Sequence, residues 1–281
     1  MKEGRLIKKF DLNKLLIYFL LIITLMLIIL PLLFIFINSF KGIIDFIKNV
    51  FGLPKEIIFG NYPEAWRHGN LFRLMGNSLI ITIISVATLI FLGALASYPI
   101  AKKRLFGGNF LYILFLSGLM IPPQVIVIPL FILERKLGLI DSLLGLILVY
   151  IATQLPITIF IFVGFMRSIP KDLEEAAYLD GCSNIGTFWK IIFPLVKPAT
   201  ATVSILTSLN IWNDFFYPLI LINTQENRTL TLGLYAFKGI YLVTFTQLFA
   251  YMSTMAVPII ILYLILQKFI IKGMVAGAIK G

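Results

Sequence analysis

The sequence predicts an all-α integral membrane protein of six transmembrane helices. Three observations predict it. Residues are 59% hydrophobic and only 13% charged, about half the charged share of an ordinary soluble domain. Apolar runs of roughly 23 residues recur along the chain, each long enough to cross about 30 Å of hydrocarbon. Lysine and arginine collect on alternate sides of those runs.

The first run, Leu15–Ile37, follows five basic residues (Lys2, Arg5, Lys8, Lys9, Lys14). It exceeds the apolar stretch of a cleavable signal and no small-x-small site follows, so it reads as a retained span. The other runs are Ser78–Ile100, Phe110–Ile132, Leu143–Phe165, Ala199–Leu221 and Phe249–Ile271. Together they make one transport-type membrane domain over residues 1–281. In lipid such runs satisfy their backbone groups as helices.

Fifteen of the 24 Lys and Arg residues lie on the side of the N-terminus. They include Lys102-Lys103-Arg104, the loop from Arg167 to Lys197, and the tail from Lys268 onward. Nine lie opposite, five of them in one long loop where the bias carries little weight. Both termini are therefore placed in the cytoplasm. Tyr62, Trp66, Trp212 and Tyr217 fall near the expected outer boundary, where amphipathic rings are favoured. The stretch Ile43–Phe51 in the first outer loop suits a short interfacial helix.

Composition also excludes chemistries. The net charge of +11 is explained by these flanking lysines, with no nucleic-acid motif beside it. A single cysteine, Cys182, and a single histidine, His68, leave no disulfide framework, CxxC pair or histidine metal cluster. No phosphate-binding G-x-x-x-x-G-K-[ST] loop occurs, so ATP has no such site here. No catalytic motif and no metal ligand set is expected.

The inner loop 167–198 reads as helix, turn, helix. Pro170 suits a first turn, and Asp172, Glu174 and Glu175 complement the positive end of the helix dipole. Gly181 can take the left-handed conformation that ends a helix, and Ser183 or Asn184 can cap the next one. The small pair Ala176-Ala177 leaves a low surface for a partner; a plain solvated hairpin is the other reading.

Two further features have two readings each. Pro122-Pro123-Gln124 and Gln154-x-Pro156 interrupt the third and fourth runs. Prolines there either line a pathway or serve packing. Asn210, Asn213 and Asp214 lie late in the fifth run, with Asn210 and Asp214 on one helical face. An ionised Asp in hydrocarbon is costly, so Asp214 either faces a hydrophilic path or caps a helix near its end. Gly93 and Ser97 stand one small-xxx-small step apart, a sign of close helix packing.

The loop resembles the Glu-Ala-Ala loop of ABC importer permeases. Glu175-Ala176-Ala177 is followed by Gly181 and by Ile191-Ile192-Phe193-Pro194 at the family's spacing. The wider chain resembles the shorter permease of the maltose and multiple-sugar type. The residues carrying that likeness are Asn61-Tyr62, Asn77-Ser78-Leu79, Ala96-Ser97-Tyr98, Ile121-Pro122, Gly138-Leu139, Trp212-Asn213-Asp214, Pro218-Leu219 and the Gly273–Gly281 ending. Pro99 and Cys182 depart from the usual pattern.

The resemblance implies a non-catalytic subunit of the prokaryotic inner membrane, forming half of a carbohydrate path. Its implied partners are a second permease, two ATPase subunits holding ATP and magnesium, and an extracytoplasmic binding protein. It implies that Glu175, Ala176, Ala177, Asp180 and Gly181 couple to the ATPase. The residue reading offers Pro122, Gln124, Gln154, Asn210, Asn213 and Asp214 for the path. An ATP-independent secondary transporter is the alternative, with Asp214 as its one intramembrane carboxylate. A glycerol-phosphate solute is the alternative within the importer class, though the one Lys or Arg within the spans, Lys268, sits at the inner end of the last and away from a mid-span phosphate.

Overall fold

A computed structural model describes residues 12–102, 105–240 and 245–278. The basic residues Lys2, Arg5, Lys8, Lys9, Lys103 and Arg104 lie outside the described residues, as do Ile279, Lys280 and Gly281. The described residues form helices and connecting loops, with no strand among them.

In chain order the helices are α1 (Leu12–Ser39), α2 (Ile43–Lys48), α3 (Asn61–His68), α4 (Leu71–Ala101), α5 (Gly108–Gly118), α6 (Pro123–Lys136) and α7 (Leu143–Arg167). There follow α8 (Asp172–Leu179), α9 (Asn184–Thr187), a π-helical turn at Phe188–Ile192 and α10 (Phe193–Leu195). The chain ends with α11 (Lys197–Asn213), α12 (Phe216–Leu221), α13 (Leu230–Ile240) and α14 (Phe245–Ala278). Four helices hold segments long and apolar enough to cross a membrane: Lys14–Ser39, Leu71–Ala101, Leu143–Arg167 and Phe245–Lys268. Two bent pairs raise the number to as many as six.

The third expected run, Phe110–Ile132, is not one straight helix. α5 and α6 meet at 98°. Pro122 and Pro123 supply no N–H to the preceding turn, and Pro122 is extended at ψ 138°, so α6 restarts with Pro123 at its first turn. The tandem prolines thus break the helix outright. Pro156, alone inside α7, leaves that helix continuous. The fifth run also differs from a single span: α11 stops at Asn213, and the chain restarts as α12 after Asp214-Phe215.

α4 and α7 share the most extensive helix contact. A side chain on Gly93 would run into Thr158 of α7, and the Ser97 hydroxyl reaches the Ile159 carbonyl at 3.4 Å. The small residues one turn apart therefore do bring the two backbones together. Around this pair lie three apolar clusters: one near Tyr98, Phe162 and Phe188, one near Leu89, Tyr150 and Leu146, and one near Leu71, Trp212 and Tyr251. α1 stands apart. From Leu15 to Leu33 its leucines and isoleucines are exposed; its far end meets α14, where Phe34 meets Phe249 edge to face at 5.6 Å, and α3, where the Ser39 hydroxyl and carbonyl bond Tyr62 and Asn61.

Two boundary aromatics behave otherwise than their positions suggest. Trp212 is buried and donates from its indole to the Met255 carbonyl at 3.1 Å, and Tyr217 is buried against Tyr150. The end of α11 sits inside the bundle, so these rings pack against protein and not at its surface. Trp66 is exposed on α3, and the short helix expected within 43–51 forms as α2 with Ile44, Ile47 and Phe51 outward.

Candidate functional site

Two places carry the polar chemistry: the helical hairpin between α7 and α11, and a cavity beside the break between α5 and α6.

The hairpin forms as its residues direct. α8 starts at Asp172, one residue past Lys171, with Asp172, Glu174 and Glu175 in its first turn. Gly181 ends it at φ +77°, and the Gly181 and Cys182 amides return to the carbonyls of Tyr178 and Ala177. That is the glycine-dependent helix stop. Ser183 then caps α9, its hydroxyl accepting from the Gly186 amide at 3.1 Å. The π turn at Phe188–Ile192 leads into Pro194, and the α9–α10 segment lies at 71° to α11.

The two adjacent glutamates have opposite fates. Glu174 is buried and pairs with Lys102 at 2.8 Å, while Tyr98 donates to its other oxygen at 3.2 Å. Lys102 also donates to the Ile169 carbonyl at 2.8 Å. Phe188 seats on Tyr98 with ring centroids 5.3 Å apart, and Ala177 is buried on the Glu174 face. Glu175 and Ala176 are exposed on the opposite face, with Asp180, Leu179 and Ile185 beside them. Sequence reasoning missed the Lys102–Glu174 anchor, counting Lys102 only as part of a basic turn. The available signal was the three-residue spacing of Glu174 and Ala177, which puts both on one helical face.

The cavity, about 520 Å³, opens where α5 breaks from α6. α7 supplies Thr153, Gln154 and Pro156; α11 supplies Asn210; α12 supplies Tyr217. Gly118, ending α5, abuts the Pro156 ring: a side chain there would stand 3.2 Å from it. Asn210 donates its amide to the Gln154 side-chain oxygen at 3.2 Å. Among the described residues, no charged one lines the cavity.

The structure therefore separates the six path residues chosen from sequence. Gln154 and Asn210 meet in the cavity. Pro122 and Gln124 belong to the helix break and are exposed beside it, flanking the lining residues Ile121 and Pro123. Asn213 points to a separate apolar groove, about 340 Å³, with Trp212, Met252 and Met255. Asp214 accepts from the Phe216 and Tyr217 amides at 3.0 and 3.2 Å and from the Tyr150 hydroxyl at 2.8 Å. Of its two readings, the cap is the one its contacts fit.

The end away from the hairpin is tied by side chains that the sequence did not single out. Asp141, at φ +59°, accepts from the Asn223 and Thr224 amides and the Thr224 hydroxyl. Burial raises its carboxyl pKa, but these bonds and that from Asn227 outweigh burial and hold it below the usual carboxylate value. Lys41 is wholly buried and donates to the Asn49 and Val50 carbonyls. Burial lowers its pKa, and Asp45 partly restores it. No group of three potential metal ligands occurs among the described residues.

Known proteins share this architecture. The family of binding-protein-dependent transport system inner membrane components matches residues 89–275. The multiple sugar-binding transport system permease MsmG of Streptococcus mutans is 38% identical over 267 residues, 94% of this chain and 96% of its own length. The diacetylchitobiose uptake permease NgcG of Streptomyces coelicolor is 32% identical over 263 residues, 93% of this chain and 87% of its own. A chain from the crystal structure of a bacterial ABC transporter involved in importing the acidic polysaccharide alginate superposes with a TM-score of 0.81. It is 25% identical in sequence, and the match covers 92% of this chain and 96% of that one. The protein is thus a transport subunit of the inner membrane, and the chain belongs to the family of binding-protein-dependent transport system inner membrane components.

Proposed function

We propose that this chain is the carbohydrate-carrying permease of an ATP-driven importer, one of two permeases that enclose the path. The observation that carries the reading is the hairpin. α8 and α9 are fixed to α4 by a buried ion pair, while Glu175, Ala176, Asp180 and the apolar Leu179 and Ile185 face outward. A short, rigid element with a mixed apolar and acidic outer face suits a cleft in an ATPase subunit. Movement there would pass through Lys102 and Tyr98 into α4, and through the π turn into α11.

In this reading the chain forms one domain of six spans, with α5–α6 as the third and α11–α12 as the fifth. The hairpin and both termini lie in the cytoplasm. ATP and magnesium belong to the two ATPase subunits, and an extracytoplasmic binding protein delivers the solute. The names of MsmG and NgcG support a saccharide. The uncharged cavity favours a neutral sugar over a glycerol-phosphate. The capping role of Asp214 leaves little for an ion-coupled mechanism.

Pull-down of the ATPase by Glu175→Lys and Gly181→Asp variants tests the coupling, together with sugar uptake. Both should fall sharply while the variants still insert in the membrane. Binding and uptake equal to wild type would refute the docking role. Uptake driven by a proton or sodium gradient without ATP would refute the importer class.

A further inference from the structure

We propose that the cavity between the hairpin ends of α4 and α7 and the start of α5 binds the head group of an anionic phospholipid, held by Arg167. The lipid comes from the leaflet at that end of the bundle. The site is separate from the solute path and does not depend on which solute is carried.

α4 and α7 are two of the long apolar helices, and their last residues are Ala101 and Arg167. Span ends lie at the depth of the lipid head groups. A cavity of about 450 Å³ opens there, lined by Ile100, Leu105, Gly107, Gly108, Asn109 and Arg167. Arg167 is the one charge in that lining among the described residues. Its guanidinium lies over the Tyr112 ring, 4.8 Å from the centroid. It makes no ion pair or hydrogen bond among the described residues. A guanidinium held by its face keeps its N–H edge free, and that edge matches two phosphate oxygens. The Asn109 side chain also makes no hydrogen bond among the described residues, and adds an amide. Gly107 has open space where a side chain would stand, so nothing from the backbone turn fills the cavity.

The surroundings select the class of ligand. A zwitterionic head group would bring an ammonium to a wall that holds no carboxylate among the described residues. Glu174 cannot serve, being committed to Lys102 at 2.8 Å. A soluble phosphate would have one cation and one amide to hold it against water. A lipid is held by its chains as well: Leu105, Phe106 and Phe110 are exposed beside the cavity and continue the apolar surface of the spans. Basic pockets between spans at this depth suit anionic head groups. The site also adjoins the hairpin anchor. Arg167 ends α7, and two residues on, the Ile169 carbonyl accepts from Lys102 at 2.8 Å.

The test uses the whole transporter in phosphatidylcholine vesicles with a trace of phosphatidylglycerol carrying a photoreactive head group. Labelled peptides are mapped after illumination. Labelling of residues 100–112 is expected, displaced by unlabelled phosphatidylglycerol and not by further phosphatidylcholine or by glycerol 3-phosphate. Arg167→Gln should lower it on the order of tenfold, the scale of a lost charge-assisted hydrogen bond. Tyr112→Leu keeps the charge but frees the guanidinium, and should lower it about two- to fivefold. Lys197→Gln removes a charge from an exposed residue outside the cavity and should leave it unchanged. Thermal stability in pure phosphatidylcholine checks that each variant is folded. No labelling of residues 100–112 in wild type overturns the site. Equal displacement by phosphatidylcholine overturns the anionic class, and displacement by glycerol 3-phosphate overturns a lipid as the source. An equal fall in Lys197→Gln, or none in Arg167→Gln and Tyr112→Leu, marks general surface charge and overturns the role of Arg167. A fall in labelling only in variants that have lost stability marks the residues as structural and overturns it too.

Discussion

The two ends of the helix bundle are stabilised in different ways. At the hairpin end, one buried ion pair and a set of tilted and edge-to-face ring contacts hold a unit whose helices satisfy most of their own backbone. At the other end the loops have no such ladder, and side chains must complete the backbone's hydrogen bonds. Asn61 donates to the Ser39 and Lys41 carbonyls, Asn77 to those of Glu226 and Arg228, and Ser78 accepts from the Leu230 amide. Asp141 adds its own cluster. A single concentrated anchor transmits a rigid-body movement and fails all at once. A distributed set of bonds fails by degrees.

The largest expected effect tests the concentrated anchor. Lys102→Met strands Glu174 as a buried charge and should cost about 3–5 kcal/mol, read as thermal stability of the purified protein. Adding Glu174→Met should recover much of that loss, since replacing both partners removes the stranded charge. A double variant no more stable than the single one would show that the pair is not the anchor.

Asp141→Ala probes the distributed end and should cost about 2 kcal/mol, the scale for hydrogen bonds to a charged group. The loss should be confined to faster hydrogen exchange at the Asn223 and Thr224 amides, with the hairpin unaffected. Acid should act the same way. The folded carboxyl has a lowered pKa, so its contribution is complete above the unfolded value, about 4, and disappears as pH falls through the folded one. Protection of these two amides from exchange, taken relative to the intrinsic rate at each pH, should therefore fall on acidification, and pH-independent protection would contradict the assignment.

Gly181→Val comes next. At φ +77° a branched side chain should cost about 1–2 kcal/mol and tilt α9 away from α8. Reduced ATPase binding at normal membrane insertion is the readout. The smallest effect is Ser183→Ala, about 1 kcal/mol for a lost helix cap, visible as a modest fall in thermal stability. If Ser183→Ala proved costlier than Lys102→Met, the anchor would lie in the turn and not in the ion pair.

The apolar runs, the hairpin and its turn glycine were legible in sequence because each rests on local chemistry: length, spacing and one residue's φ. That α4 packs closely on another helix was legible too, from Gly93 and Ser97; that the partner is α7 was not. The path residues were legible only in part. Asn210 and Asn213 look equivalent as neighbouring polar residues, yet three residues of helix turn them toward different cavities. Asp214 kept two readings, path or cap, because nothing in the sequence fixes that α11 ends one residue earlier.

By itself, the sequence determined that the chain is helical, membrane-spanning and equipped with a helix–turn–helix hairpin between two apolar runs, because hydrophobic length and turn chemistry are properties of consecutive residues. Only the tertiary structure decided which glutamate is buried and which is exposed, that the chain turns through 98° at the tandem prolines, and that Gln154 meets Asn210. The first and last of those outcomes depend on partners 56 to 76 residues away, Asn210 for Gln154 and Tyr98 for Glu174, which packing alone brings within hydrogen-bonding distance.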